Sequence, residues 1–132
     1  MTSTTLSIKN QTRRPVPRVA FAKIKEHLLG DKYELSLVFI GQATSRKLNN
    51  TYRGKDKSTN VLSFPLSKTA GEIFIDLSKA QQELKKFDMS YPKFVAYLFI
   101  HGCLHLKGME HGAKMEKLEQ QTLNGSSNYR WY

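Results

Sequence analysis

The chain has 132 residues, 39% of them hydrophobic and 11% aromatic, which suffices for one core, hardly for two, and excludes a disordered tail. Lys and Arg number 21 against 11 Asp and Glu, a formal charge of +10 that favours a polyanionic partner such as RNA, DNA or an anionic membrane. No apolar run approaches the ~20 residues of a bilayer span, the opening Met1-Thr2-Ser3-Thr4-Thr5-Leu6 lacks the basic-then-apolar order of a secretory signal, and one cysteine, Cys103, makes no internal disulfide, as suits a reducing cytoplasm.

Thr5 to Lys9 alternates Leu6 and Ile8 with polar residues and predicts a first strand. Arg13-Arg14-Pro15-Val16-Pro17 is expected to open a helix that carries Val19, Ile24 and Leu28 on one side and stops at Gly30. His27 on that helix reads as a surface residue. Tyr33 to Ile40 is the clearest strand, with Leu35, Leu37 and Phe39 on one face and Val38 and Ile40 on the other, as in an internal strand. A short helix over Thr44 to Tyr52 should turn Leu48 inward, and a polar turn-rich loop, Arg53 to Asn60, follows. Val61 to Phe64 reads as a strand ended by Pro65, and Gly71 to Asp76 as another. Ser78 to Phe87 predicts a helix with Ala80 and Leu84 inward. Ser90 then caps a longer helix that tolerates Pro92 in its first turn. From Phe94 to Leu106 this helix is apolar nearly all round, the mark of a buried central element. A last amphipathic helix, Ala113 to Leu123, should end at Asn124-Gly125, leaving Ser126 to Tyr132 as a tail. With no repeat or linker, the fold class is α/β (α+β). We expect a single domain over residues 1–132, a mixed sheet of about four strands packed with helices around a central metal-bearing helix.

The strongest chemical signal is the segment His101 to His111. Residues four apart share a helix face, so His101 and His105 can offer two imidazoles to one ion. Gly108 can end the helix in a left-handed conformation and let the chain return His111 as a third ligand. Three histidines leave a tetrahedral ion one open position, the arrangement of catalytic rather than structural zinc. One satisfied core histidine with two incidental ones is the bland alternative, disfavoured because three of the four histidines fall within this one segment. The spacing is that of the metzincin proteases, but the residue that would be their general base is Gly102. A metzincin-like metallopeptidase is therefore the weaker reading. Cys103 lies about 200° round the helix from His101 and reads as a small buried hydrophobe.

The loop beginning at Asn49-Asn50-Thr51-Tyr52 places Arg53, Lys55 and Lys57 in a turn beside a strand. Arginine presents a planar fork to phosphate oxygens and would stabilise charge that gathers on a phosphodiester under attack. By itself a charged loop of this kind is more often simply solvated.

Leu48 to Pro65 resembles the signature of the YbeY family of bacterial endoribonucleases, the rRNA maturation factors, and the histidine segment is similar to that family's second signature. Glu34 to Ile40, Gly71 to Ile75 and Met115 to Glu119 also fall in the family's order. The resemblance implies a single-strand-preferring endoribonuclease of 16S rRNA 3′-end maturation and ribosome quality control. It implies Zn2+ (or another transition metal such as Ni2+) on His101, His105 and His111, with Arg53 as the functional arginine. The chain departs from the family at Asn60 (usually Asp), Ser58 (Pro), Met109-Glu110 (Tyr-Asp) and Tyr97 (His).

The function expected is hydrolysis of RNA by a cytoplasmic metalloenzyme, with Arg53 and Lys55 binding substrate and single-stranded RNA of the small ribosomal subunit as partner. No membrane partner is expected. Glu110, close in sequence to the ligands, is a candidate to orient one of them. A non-catalytic ribosome-assembly factor with a structural metal is the remaining rival.

Overall fold

Apolar residues on every side of one helix require packing partners on every side, and the arrangement of the other elements follows from that demand. The computed structural model describes residues 5–125 and 131–132. The elements in order are β1 (Leu6–Asn10), α1 (Phe21–Leu29), β2 (Glu34–Ile40), α2 (Gln42–Arg53), β3 (Val61–Ser67), β4 (Ala70–Asp76), α3 (Leu77–Phe87), α4 (Tyr91–Leu106) and α5 (Ala113–Asn124). The sheet order is β1-β2-β4-β3, with β1, β2 and β4 parallel and β3 antiparallel to β4. It is thus a mixed sheet in an α+β fold. Among the described residues no helix is long and apolar enough to cross a membrane.

Helix α4 is the centre. Ser90 caps it by accepting from the Lys93 amide, and Phe94, Val95, Phe99, Ile100, Cys103 and Leu104 are fully buried. Each such side chain contributes about 1.5–3 kcal/mol on burial. The sheet lies on one side of α4, at β3 and β4, and α1, α3 and α5 pack on the others. Helix and sheet meet closely at Gly102, where a Cβ would stand 3.0 Å from Ile73 Cδ1, and at Gly71, where one would stand 2.9 Å from Leu106 Cδ2. A side chain at position 102 would press on Ile73, so glycine favours this close seating of α4 on β4.

Strand β2 has both faces covered, as its sequence implied: Leu37 and Phe39 are wholly buried on one side, and Ile40 on the other. Ile73 faces α4, so its neighbour Phe74 points to the opposite face, where it meets Phe64 at a ring separation of 5.8 Å.

Several boundaries differ from expectation. Helix α1 begins at Phe21, not in the Pro15-Val16-Pro17 segment, which runs without helix or strand. A proline biases the residue before it away from helical dihedrals, and two in three positions outweighed the apolar spacing. Strand β3 continues through Pro65 to Ser67; it is an edge strand, where a missing amide hydrogen leaves no neighbour unsatisfied, and its register shifts there. In α2 the buried positions are Ser45 and Asn49, while Leu48 is half-buried beside Tyr52, Phe64 and Phe74. The expected tail lies partly outside the described residues, but Trp131 is buried in the core and its indole N–H donates to the Thr122 carbonyl.

Buried Lys25 had no sequence signal. Its ammonium donates to Thr5 Oγ1 at 2.6 Å and to the Asp31 carbonyl at 3.1 Å, joining the start of β1 to the α1–β2 turn.

Candidate metal centre and its basic rim

Helix periodicity puts His101 and His105 one turn apart at the C-terminal end of α4, with ring centroids 4.6 Å apart. The helix stops at Leu106, and Gly108 takes φ 99°, a conformation costly for any residue with a side chain. That turn brings His111 back, its ring 5.0 Å from that of His101 and 4.4 Å from that of His105. One nitrogen from each of the three lies within 4.8 Å of the others.

The outer nitrogens of the two helical histidines are already engaged. His101 Nδ1 is hydrogen-bonded to the Glu119 carboxylate on α5, and His105 Nδ1 lies 3.1 Å from the Met109 carbonyl. An imidazole that donates from Nδ1 carries its lone pair on Nε2. The two Nε2 atoms face each other at 3.1 Å. Two lone pairs aimed at one another repel unless a cation lies between them, and a tetrahedral zinc with bonds of about 2.0 Å sets its ligand nitrogens ~3.3 Å apart. The donor set therefore fits a divalent transition metal. Burial, and then the neighbouring His101 and His111 rings, hold the His105 imidazole below its ordinary pKa, which keeps it neutral and able to ligate.

Glu119 is nearly buried and was not singled out from the sequence. The orienting role had been expected of Glu110, but Glu110 is exposed. The signal that could have found Glu119 is its place on the buried stripe of α5 with Met115, Thr122 and Leu123, where a carboxylate needs a partner. Cys103 is fully buried on the far side of α4, with its thiol pKa driven well up by burial. His27 is exposed. Tyr97 sits one turn before His101, with rings 6.3 Å apart, and burial raises its phenol pKa.

The histidines open into a cleft of about 210 Å3 lined also by Arg53, Thr59, Asn60, Val61, Ser63 and Gly102. Arg53 belongs to the last turn of α2, not to the loop, so a helix positions it. Lys55 does not reach this cleft; it lines an adjoining cavity. Polar residues on α2 hold the loop between them. Ser45 Oγ donates to the Thr59 carbonyl at 2.7 Å and accepts from its amide at 2.8 Å, and Asn49 donates to the Lys57 carbonyl at 2.9 Å. Arg46 clasps Asp56 through two contacts of 2.7 and 3.0 Å. Asn60 donates to Glu83 at 2.8 Å.

The family model described as Endoribonuclease YbeY matches residues 2–127. Endoribonuclease YbeY of Caldanaerobacter subterraneus subsp. tengcongensis is 35% identical over 120 residues, covering 77% of this chain and 76% of its own length. The protein of the same name from Alkaliphilus oremlandii is 37% identical over 106 residues, 69% of this chain and 70% of its own. Among solved structures, TM1509 from Thermotoga maritima superposes with a TM-score of 0.60 over 90% of this chain and 87% of that one, at 20% identity, a likeness of fold alone.

Proposed function

This chain belongs to the endoribonuclease YbeY family, and from that premise we propose that it is a zinc-type metal-dependent endoribonuclease. In this reading it cleaves single-stranded RNA of the small ribosomal subunit, in 16S rRNA 3′-end maturation and ribosome quality control in the cytoplasm. The observation that carries the reading is the pair of Nε2 atoms facing each other at 3.1 Å beside His111, in the same cleft as Arg53.

His101, His105 and His111 would hold the ion, which supplies Lewis acidity and lowers the pKa of water to near neutrality. The chain's own residues do the rest. Glu119 and the Met109 carbonyl fix the ring orientations of His101 and His105. Arg53 holds a non-bridging oxygen of the scissile phosphate and stabilises the charge that grows there. Lys55 binds the strand alongside. Among the described residues no carboxylate lines the cleft, so charge stabilisation rather than a protein general base is what this site offers.

The peptidase reading loses ground on the same geometry. The position of its general base is Gly102, packed against Ile73, where even a Cβ is crowded. A purely structural metal is disfavoured by His111, which is exposed, so that an ion held there would be open to solvent.

The test pairs elemental analysis of the purified protein with cleavage of single-stranded RNA, before and after a chelator. The reading expects bound metal, cleavage, loss with the chelator and recovery on adding zinc. RNA binding without cleavage in the metal-loaded protein would favour the assembly factor, and cleavage of casein but not RNA the peptidase.

A further inference from the structure

A second cavity of about 300 Å3 adjoins the histidine cleft and shares Arg53, Thr59 and Asn60 with it. Its wall carries four cations, Arg53, Lys55, Lys57 and Lys79, against one carboxylate, Glu83. That carboxylate is already engaged by the Asn60 amide, and among the described residues none of the four cations has an ion-pair partner. They come from three separate elements: Arg53 ends α2, Lys55 and Lys57 lie in the braced loop, and Lys79 stands on α3. Four like charges around one hollow repel one another, and the fold holds them there through Ser45, Asn49 and the Arg46–Asp56 pair. A surface evolved only for solubility gains nothing from bracing such a cluster beside the reactive cleft.

An RNA strand carries a phosphate at every nucleotide, so a strand whose scissile phosphate meets Arg53 must place its next phosphate within reach of the cleft mouth. We propose that this cavity is a second phosphate subsite, in which Lys57 and Lys79, with Lys55, hold the phosphodiester neighbouring the one to be cut. The subsite rests on the endoribonuclease reading. It sets a minimum substrate of two phosphodiesters for full affinity and gives α3 a part in substrate binding.

The experiment is single-turnover cleavage by the metal-loaded protein, with half-saturation and its salt dependence measured on a longer single-stranded RNA and on a dinucleotide. Lys57→Ala/Lys79→Ala should raise half-saturation on the longer RNA on the order of tenfold, the size of two partly exposed cation contacts. It should also lower the slope of log affinity against log salt by about 0.7, one phosphate's worth in a single strand. On the dinucleotide, which has one phosphodiester only, the penalty should shrink below about twofold. Lys85→Ala/Lys86→Ala, at the exposed C-terminal end of α3, controls for charge alone. An unchanged half-saturation and salt slope in Lys57→Ala/Lys79→Ala overturns the subsite, and so does an equal penalty in the control. An equal penalty on the dinucleotide overturns it too. Wild-type protein that cuts no RNA overturns the endoribonuclease reading itself, an outcome distinct from the loss of the subsite in an active enzyme.

Discussion

Replacing Glu119 by Gln separates the structural account of the metal centre from the one suggested by chain proximity. The Glu119 side chain is 4% exposed and its carboxylate meets Nδ1 of His101, whose side chain is 18% exposed. Solvent screening is therefore weak, and the carboxylate holds the ring whose opposite nitrogen would face the ion. Glutamine keeps the volume and can still accept from Nδ1–H, so the ring stays in place and the change is one of charge. Loss of such a supporting carboxylate lowers metal affinity about 10–100-fold, equivalent to about 1.4–2.7 kcal/mol. Glu110→Gln, at an exposed position nine residues nearer the helical ligands in the chain, should alter affinity less than about twofold, as expected of a solvated surface charge. The assay is competition for zinc against a chromophoric chelator, with the melting temperature of each variant checked first. Equal losses in the two variants, or none in Glu119→Gln, would refute the argument.

His105→Ala should abolish metal retention by elemental analysis, since two imidazoles cannot complete the site; full occupancy would show that the ligand set is wrong. Arg53→Ala should keep metal and fold, and lose at least about 100-fold in single-turnover RNA cleavage, the usual size for one preorganised donor. Arg53→Lys should recover little of that loss, because an ammonium lacks the two-pronged contact; a wild-type rate in Arg53→Ala makes it an ordinary solvated residue. Burial holds the Lys25 pKa below 10.5, so the folded chain gives up this proton before the unfolded one does. In that window the unfolded state binds more protons, and stability rises with pH. The unfolding free energy of wild type minus that of Lys25→Met should accordingly climb from neutral pH toward 10.5 and level off above it. A difference flat with pH in urea titrations would mean that Lys25 is not buried as an ammonium.

What the sequence made legible was whatever repeats with the period of its element. The all-round apolarity of Phe94 to Leu106 identified the central helix, and the i, i+4 histidines with a glycine stop identified the cluster, because both are local consequences of helix geometry. Proline and strand ends were less legible, since the cost of Pro65 depends on whether its neighbour needs an amide. That depends on the position of β3 at the sheet edge. Glu119 and Lys25 were illegible for the same reason. A buried charge is placed by a partner distant in sequence, eighteen residues away for His101 and twenty for Thr5, and periodicity reports none of that.

The inward face of α2 carries this point into function. Its buried residues are Ser45 and Asn49, whereas apolar spacing alone points to Leu48. Those two polar side chains spend their hydrogen bonds on the backbone of Lys57 and Thr59. The basic loop, exposed from Arg53 to Lys57, is thereby braced from beneath. It is a segment held against a helix, and the same helix carries Arg53 into the histidine cleft. Asn60 continues the series by donating to Glu83 on α3, so the loop is tied at both ends to elements that pack on the sheet and on α4. An aspartate at that position would set two carboxylates against each other and force one to keep a proton. Asparagine at position 60 thus fits the glutamate at position 83, on the wall that Asn60 shares between both cavities.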